Sequence, residues 1–191
     1  MSTYISSKMK VPVYVGMIST WPSETTLHTF KVANPRGFET PDAFTAKRVV
    51  IRYRLGSLLQ DVSEIDEIAV EDAHINIEIL DPAGKTNNWG AIGGRMPNRK
   101  RKSEVVVRRL TIDNLTAEIQ GKGAIVLGIA GTKHFDHMEF DHIDGQEGFP
   151  TKEVARQIFE SAGMAEYLEK FLNPTERIQE SINPFNLFGS K

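Results

Sequence analysis

Between Ile65 and Ile79 the chain reads IDEIAVEDAHINIEI, and its apolar residues keep a period of two with one interruption. Ile68 and Val70 alternate, the phase slips by one residue across Glu71-Asp72, and Ala73, Ile75, Ile77 and Ile79 resume. Period two is the mark of a strand with one buried face, so a slip demands a kink, a bulge or a tight corner. Leu110 to Ile119 repeats the script, with Leu110 and Ile112, a slip at Asp113-Asn114, then Leu115, Ala117 and Ile119. A shorter third copy is read at Phe30 to Pro35, where Phe30 and Val32 precede Ala33-Asn34. Leu110 follows Ile68 by 42 positions and Ile68 follows Phe30 by 38. That spacing marks an internal repeat about one strand pair long.

The other elements fall around these copies. Strands are expected at Val11 to Ser19, Thr25 to Ala33 and Thr45 to Leu55, with turns at Trp21-Pro22-Ser23 and Asn34 to Phe38. In the third strand Val49, Ile51, Tyr53 and Leu55 face one way and Arg48, Arg52 and Arg54 lie opposite or flank them, which gives one dry face and one wet face. Thr40 to Phe44 reads as one helical turn, Gly56 to Asp61 as a connector, Asp81 to Lys85 as a turn, and Thr86 to Gly90 as loop or a single helical turn. Glycine, proline and basic residues make Gly90 to Lys102 a loop, the second kinked strand fills Glu104 to Gln120, and a hairpin at Gly121 to Gly123 leads into a strand at Ala124 to Ala130. His134 to Ile143 is the last strand. Beyond Pro150 the period becomes helical: Val154, Ile158, Ala162, Ala165, Leu168 and Leu172 predict an amphipathic helix from Thr151, and Asn173-Pro174-Thr175-Glu176 caps a second, short one. The predicted fold class is therefore α+β and mostly β: a curved antiparallel sheet or open sandwich of repeated strand pairs over residues 11–145, with a helical segment over 150–191 packing on it.

Composition narrows function by subtraction. The chain is 40% hydrophobic and 25% charged, as ordinary globular domains are, and its net charge of -2 does not ask for nucleic acid. With no cysteine there is no disulfide, thiolate metal site or thiol nucleophile. The N-terminus lacks the apolar core of a signal peptide, and no run approaches a membrane span. His134, His137 and His142, with Asp136, Glu139, Asp141 and Asp144, read either as metal ligands or as a solvated strand edge. Odd separations along a strand set His134 and His137, and His137 and His142, on opposite faces, which favours the edge. Arg95, Arg99, Lys100, Arg101 and Lys102 form a patch suited to an anionic partner, or a solvated loop. No nucleophile elbow, phosphate-binding loop or placed carboxylate pair is present, so no enzyme activity and no cofactor are expected.

The order KVANPRGF, RVVIRYRLGSLLQD, IDEIAVEDAHINIE, an asparagine-containing turn at Thr86-Asn87-Asn88-Trp89, and VVRRLTIDNLTAEIQ resembles the AsmA-like proteins of the bacterial envelope from about Val11 to Ile143. The resemblance implies a curved antiparallel sheet with an apolar groove, residence in the periplasm or tethered to the inner membrane through an anchor that this chain does not carry, and a part in lipid transport or envelope maintenance. It implies no catalytic residues. A cytoplasmic place is the alternative. The candidate apolar-ligand face, for phospholipid or another apolar ligand, is Val49, Ile51, Tyr53, Ile75, Ile77 and Ile79, which could equally be plain core under the helix. The second reading is an interaction subunit of an envelope or secretion assembly. It would dock envelope proteins or a second copy through the sheet edges and the tail, where Phe185, Leu187 and Phe188 are apolar.

Overall fold

A computed structural model describes residues 12–57, 62–93 and 104–144, with the isolated helical positions 156 and 160. Six strands form one sheet in chain order: β1 (Val13–Trp21), β2 (Glu24–Ala33), β3 (Asp42–Tyr53), β4 (Val62–Glu78), β5 (Glu104–Gln120) and β6 (Gly131–Asp144). Two short helices accompany them, α1 (Asn88–Gly93) and α2 (Lys122–Val126). The sheet is mixed and is not closed into a barrel. The pairs β1/β2, β2/β3, β3/β4 and β5/β6 are antiparallel, whereas β4 and β5 run parallel.

That parallel pair corrects the expectation of an all-antiparallel sheet, and its cause is connector length. A hairpin needs only a few residues, but β4 ends at Glu78 and β5 begins at Glu104, a span long enough for the crossover that parallel strands require. The two repeat copies therefore lie side by side. Ile68 stands opposite Leu110, Val70 opposite Ile112 and Ile77 opposite Ile119, so the sequence offset of 42 is also the register of the pair.

The slips fall on one line across the sheet. Asp72 and Asn114 both have positive φ, at 50° and 57°, and each occupies the position skipped between neighbouring pairs on the ladder. In β2 the same place is taken by Thr29, φ 55°, and not by Ala33-Asn34, which corrects the third copy; its true slip lies between Leu27 and Phe30. Gly16, Lys47 and Asp136 complete the line in β1, β3 and β6. One extra residue in a left-handed conformation breaks the pleat and re-aims the strand, so apolar residues on both sides of the line share one face. Asn114 Nδ2 donates to Asp72 Oδ1 at 2.5 Å and Lys47 Nζ reaches Asp72 Oδ2 at 3.2 Å, which ties the line together side chain to side chain. A second slip follows at Asp66 and Arg108: Ile65 and Ile68, and Val107 and Leu110, are core-packed three residues apart, and β3 shifts register between Arg52 and Tyr53.

Two further expectations change. Asp42 to Phe44 begins β3, so there is no helical turn at Thr40 to Phe44. Ala124 to Val126 is helical and not the start of a strand, for a reason that lies in Gly121 and Gly123. Of the helix expected from Thr151 only positions 156 and 160 are described; the rest of it, the second helix and the tail lie outside the described residues.

Candidate functional site

The six strands pool their apolar side chains on one face. Val49, Val70, Leu110, Ile112, Met138 and Phe140 occupy one side of the slip line, and Phe44, Ala46, Ala73, Ile75, Ile77, Leu115, Ala117 and Ile119 the other. Of the predicted ligand face, Ile75, Ile77 and Ile79 are core residues, only 1–3% exposed, and Val49 is buried at 8%. Ile51 and Tyr53 are half-buried, and the Tyr53 hydroxyl is hydrogen-bonded to Thr25 Oγ1 at 3.1 Å. Arg95, Arg99, Lys100, Arg101 and Lys102, and Phe185, Leu187 and Phe188, lie outside the described residues.

The two ends of the apolar face differ. Around Ile77, Ile79 and Ile119, helices α1 and α2 contribute the buried Trp89, Ile92 and Ala124 to the same core. This end is fastened by polar side chains that the sequence reading passed over. Asn88, fully buried, donates through Nδ2 to Asn34 Oδ1 and the Asn76 carbonyl and accepts from the Glu78 N–H; Trp89 Nε1 donates to the Asn76 carbonyl as well. Asn34 Nδ2 donates to Thr40, and the buried Glu78 carboxylate accepts the backbone N–H groups of Glu39 and Thr40. Buried polar groups are costly unless so paired. At the opposite end Leu27, Ile51, Ile65 and Ile68 pack against the core but are only half-buried. The described apolar face reaches solvent here, and also at Phe30, Phe135 and, beside α2, Ile129.

The wet face is a lattice of ion pairs. Arg48 pairs with Glu71, Arg52 bridges Glu24 and Glu67, and Arg54 and Arg108 share Glu64 and Asp66. Val50 and Ala69 are buried on this face, in the row between the Arg48–Glu71 and Arg52–Glu67 pairs, as expected where arginine stems lie along the sheet. Such exposed pairs add little stability each, so their chief consequence is a face with its arginine charge already neutralised.

The slip also corrects the histidine parity. His134 registers with Thr116 and His137 with Asp113, both on the wet face, because Asp136 is the skipped residue between them. Sharing a face does not make a metal site: His134 pairs with Asp136 and His137 with Asp113 and Glu139, and among the described residues no group of three or more His, Asp or Glu side chains could hold an ion. His137 Nδ1 lies 2.6 Å from Asp113 Oδ1, and that hydrogen bond holds the imidazole pKa above its usual 6.5. A raised histidine pKa contributes stability that is complete below the unfolded value and is lost as pH rises through the folded one. Histidine NMR titration should therefore place His137 above 6.5, and Asp113→Asn should lower it, with Glu139 still holding it up in part; an unchanged midpoint would remove the Asp113 contact as the main cause.

No helix among the described residues is long and apolar enough to cross a membrane. No protein-family model, curated protein or solved structure matches the chain.

Proposed function

We propose that this is a non-catalytic, AsmA-like protein of the bacterial envelope that handles lipid or another apolar ligand along the dry face of its sheet, periplasmic or tethered to the inner membrane. The observation that carries the reading is the phase-corrected apolar face running through all six strands, with one end capped by Trp89, Ile92 and Ala124 and the other half-open at Leu27, Ile51, Ile65 and Ile68. An acyl chain needs a continuous apolar wall and few polar partners. The motif order from KVANPRGF to VVRRLTIDNLTAEIQ supports the same family. In this chain Asn34 and Asn88 act as fasteners, binding the β2–β3 connection to the crossover between β4 and β5.

A second reading, an interaction subunit docking by strand addition, has one observation in its favour. Edge strand β1 carries no charged residue from Val13 to Trp21 and exposes Tyr14, Met17 and Trp21, whereas the other edge, β6, is studded with charges. Charges on an edge are a usual guard against pairing, and β1 has none. Native mass spectrometry with lipid extraction separates the two. Co-purifying phospholipid that is lost in Ile51→Asn supports the lipid reading. A lipid-free chain that self-associates until Met17→Lys is introduced overturns it in favour of docking.

A further inference from the structure

Helix α2 is built inside out. Its small residue, Ala124, is fully buried, while Ile125 and Val126 are 68% and 69% exposed. A short surface helix ordinarily turns aliphatic residues to the core and polar ones to water. Here the arrangement is enforced from below. Gly123 N–H donates to the Ile79 carbonyl at 2.9 Å, and a Cβ on Gly121 or Gly123 would fall within 3.0 Å of the backbone at Ile79 or Asp81. The first turn is thus clamped to the end of the sheet by main-chain contact, and the only direction left for Ile125 and Val126 is outward.

The chain on either side of this tip is basic, with one acid, Asp81, against it. From Ile119 to Phe135 the chain carries Lys122 and Lys133, both exposed, and no acid. Lys85 is exposed in the neighbouring turn; the nearby Asp81 carboxylate accepts the backbone N–H groups of Ala83, Lys85 and Thr86. Glu118, just outside the segment, lies 3.3 Å from His74. Two adjacent aliphatic side chains projecting from a rigid turn, with exposed lysines on the same helix, the neighbouring turn and the following strand, match the interface of an anionic bilayer: the aliphatics enter the acyl boundary and the ammonium groups meet headgroup phosphates.

We propose that the α2 tip docks this protein onto the surface of an anionic lipid bilayer. The inference rests on the tip alone and stands whether or not the sheet carries a lipid. It is tested by flotation of the purified chain with vesicles of phosphatidylglycerol and phosphatidylethanolamine, and with phosphatidylcholine vesicles for comparison. The expected result is binding to the anionic vesicles that falls about tenfold for each of Ile125→Ser and Val126→Ser. Lys122→Glu with Lys133→Glu should weaken anionic binding while leaving the weaker phosphatidylcholine binding unchanged. Both aliphatic positions are exposed, so the variants keep the fold, which circular dichroism verifies. Equal flotation of parent and Ile125→Ser, or an absence of flotation together with self-association that needs Ile125, overturns the proposal; the second outcome makes the tip a contact between copies.

Discussion

Deleting Asn114 should leave no cooperatively folded protein. Asn114 is the residue that restores phase in β5, with φ 57° and no direct partner of its own between the Asp113–His137 and Leu115–Phe135 pairs. Without it, either Leu115, Ala117 and Ile119 turn to the wet face, or Leu110 and Ile112 do; all five are at most 4% exposed. Exposing a single large aliphatic costs about 1.5–3 kcal/mol, and the same flip drives Thr116 and Glu118, or Thr111 and Asp113, toward the core, where an unpaired carboxylate costs several kcal/mol more. The sum rivals the whole stability of a domain, about 5–15 kcal/mol. Asn114→Gly is the matched control. Glycine accepts the left-handed conformation freely, so that variant loses only the exposed bond to Asp72 and should shift stability by about 1 kcal/mol or less. Thermal unfolding followed by circular dichroism decides. A deletion variant that melts cooperatively near the parent would show that the slip line does not set the phase of the sheet.

The sequence disclosed that line unevenly, and the residues explain why. Asp72 and Asn114 were legible because asparagine and aspartate tolerate positive φ and because long β-branched alternation flanks both. Thr29 was not, since a β-branched residue with φ 55° is the last type to expect there; the usable sign was the three-residue step from Leu27 to Phe30. The second slip left the same trace in Ile65 and Ile68 and in Val107 and Leu110. The direction of β5 was written in the length of the chain between Glu78 and Glu104, which no hairpin needs. The arginine face was readable from the third strand, but its acid partners were not, because Glu71 and Glu67 meet Arg48 and Arg52 only through register. The same holds for the fastening at the capped end: Asn34, Asn76, Glu78 and Asn88 come from three separate stretches, and no local pattern marks them as one group. The apolar candidates Ile75, Ile77 and Ile79 were found by alternation, which tells a dry face from a wet one but not a filled core from a groove.

The stretch Ala124 to Ala130 misled because a run of β-branched residues favours a strand, and a tertiary contact overrules it. Gly123→Ala should be among the most damaging single-methyl additions in the molecule. Its Cβ would sit under 3.0 Å from the nitrogen, carbonyl carbon and oxygen of Asp81, all main chain, so no side chain can rotate away to make room. Either Asp81 moves, which strains the turn that its carboxylate organises through Ala83 and Thr86, or α2 lifts, breaking the Gly123 to Ile79 hydrogen bond and withdrawing Ala124 from the core. Overpacking against rigid backbone plus loss of that hydrogen bond costs about 3 kcal/mol, which lowers the melting temperature by about 10 °C for a chain of this size. Gly56→Ala, where nothing lies within 4 Å of the added carbon, should stay within about 0.5 kcal/mol of the parent. Hydrogen exchange separates the two routes. If α2 lifts, protection is lost at Gly123, Ile125 and Leu127, whose N–H groups bond Ile79, Gly121 and Gly123, while β5 up to Ile112 keeps its protection. A Gly123→Ala variant as stable as Gly56→Ala would mean that α2 is not held down by backbone contact, and the outward set of Ile125 and Val126 would then need another cause.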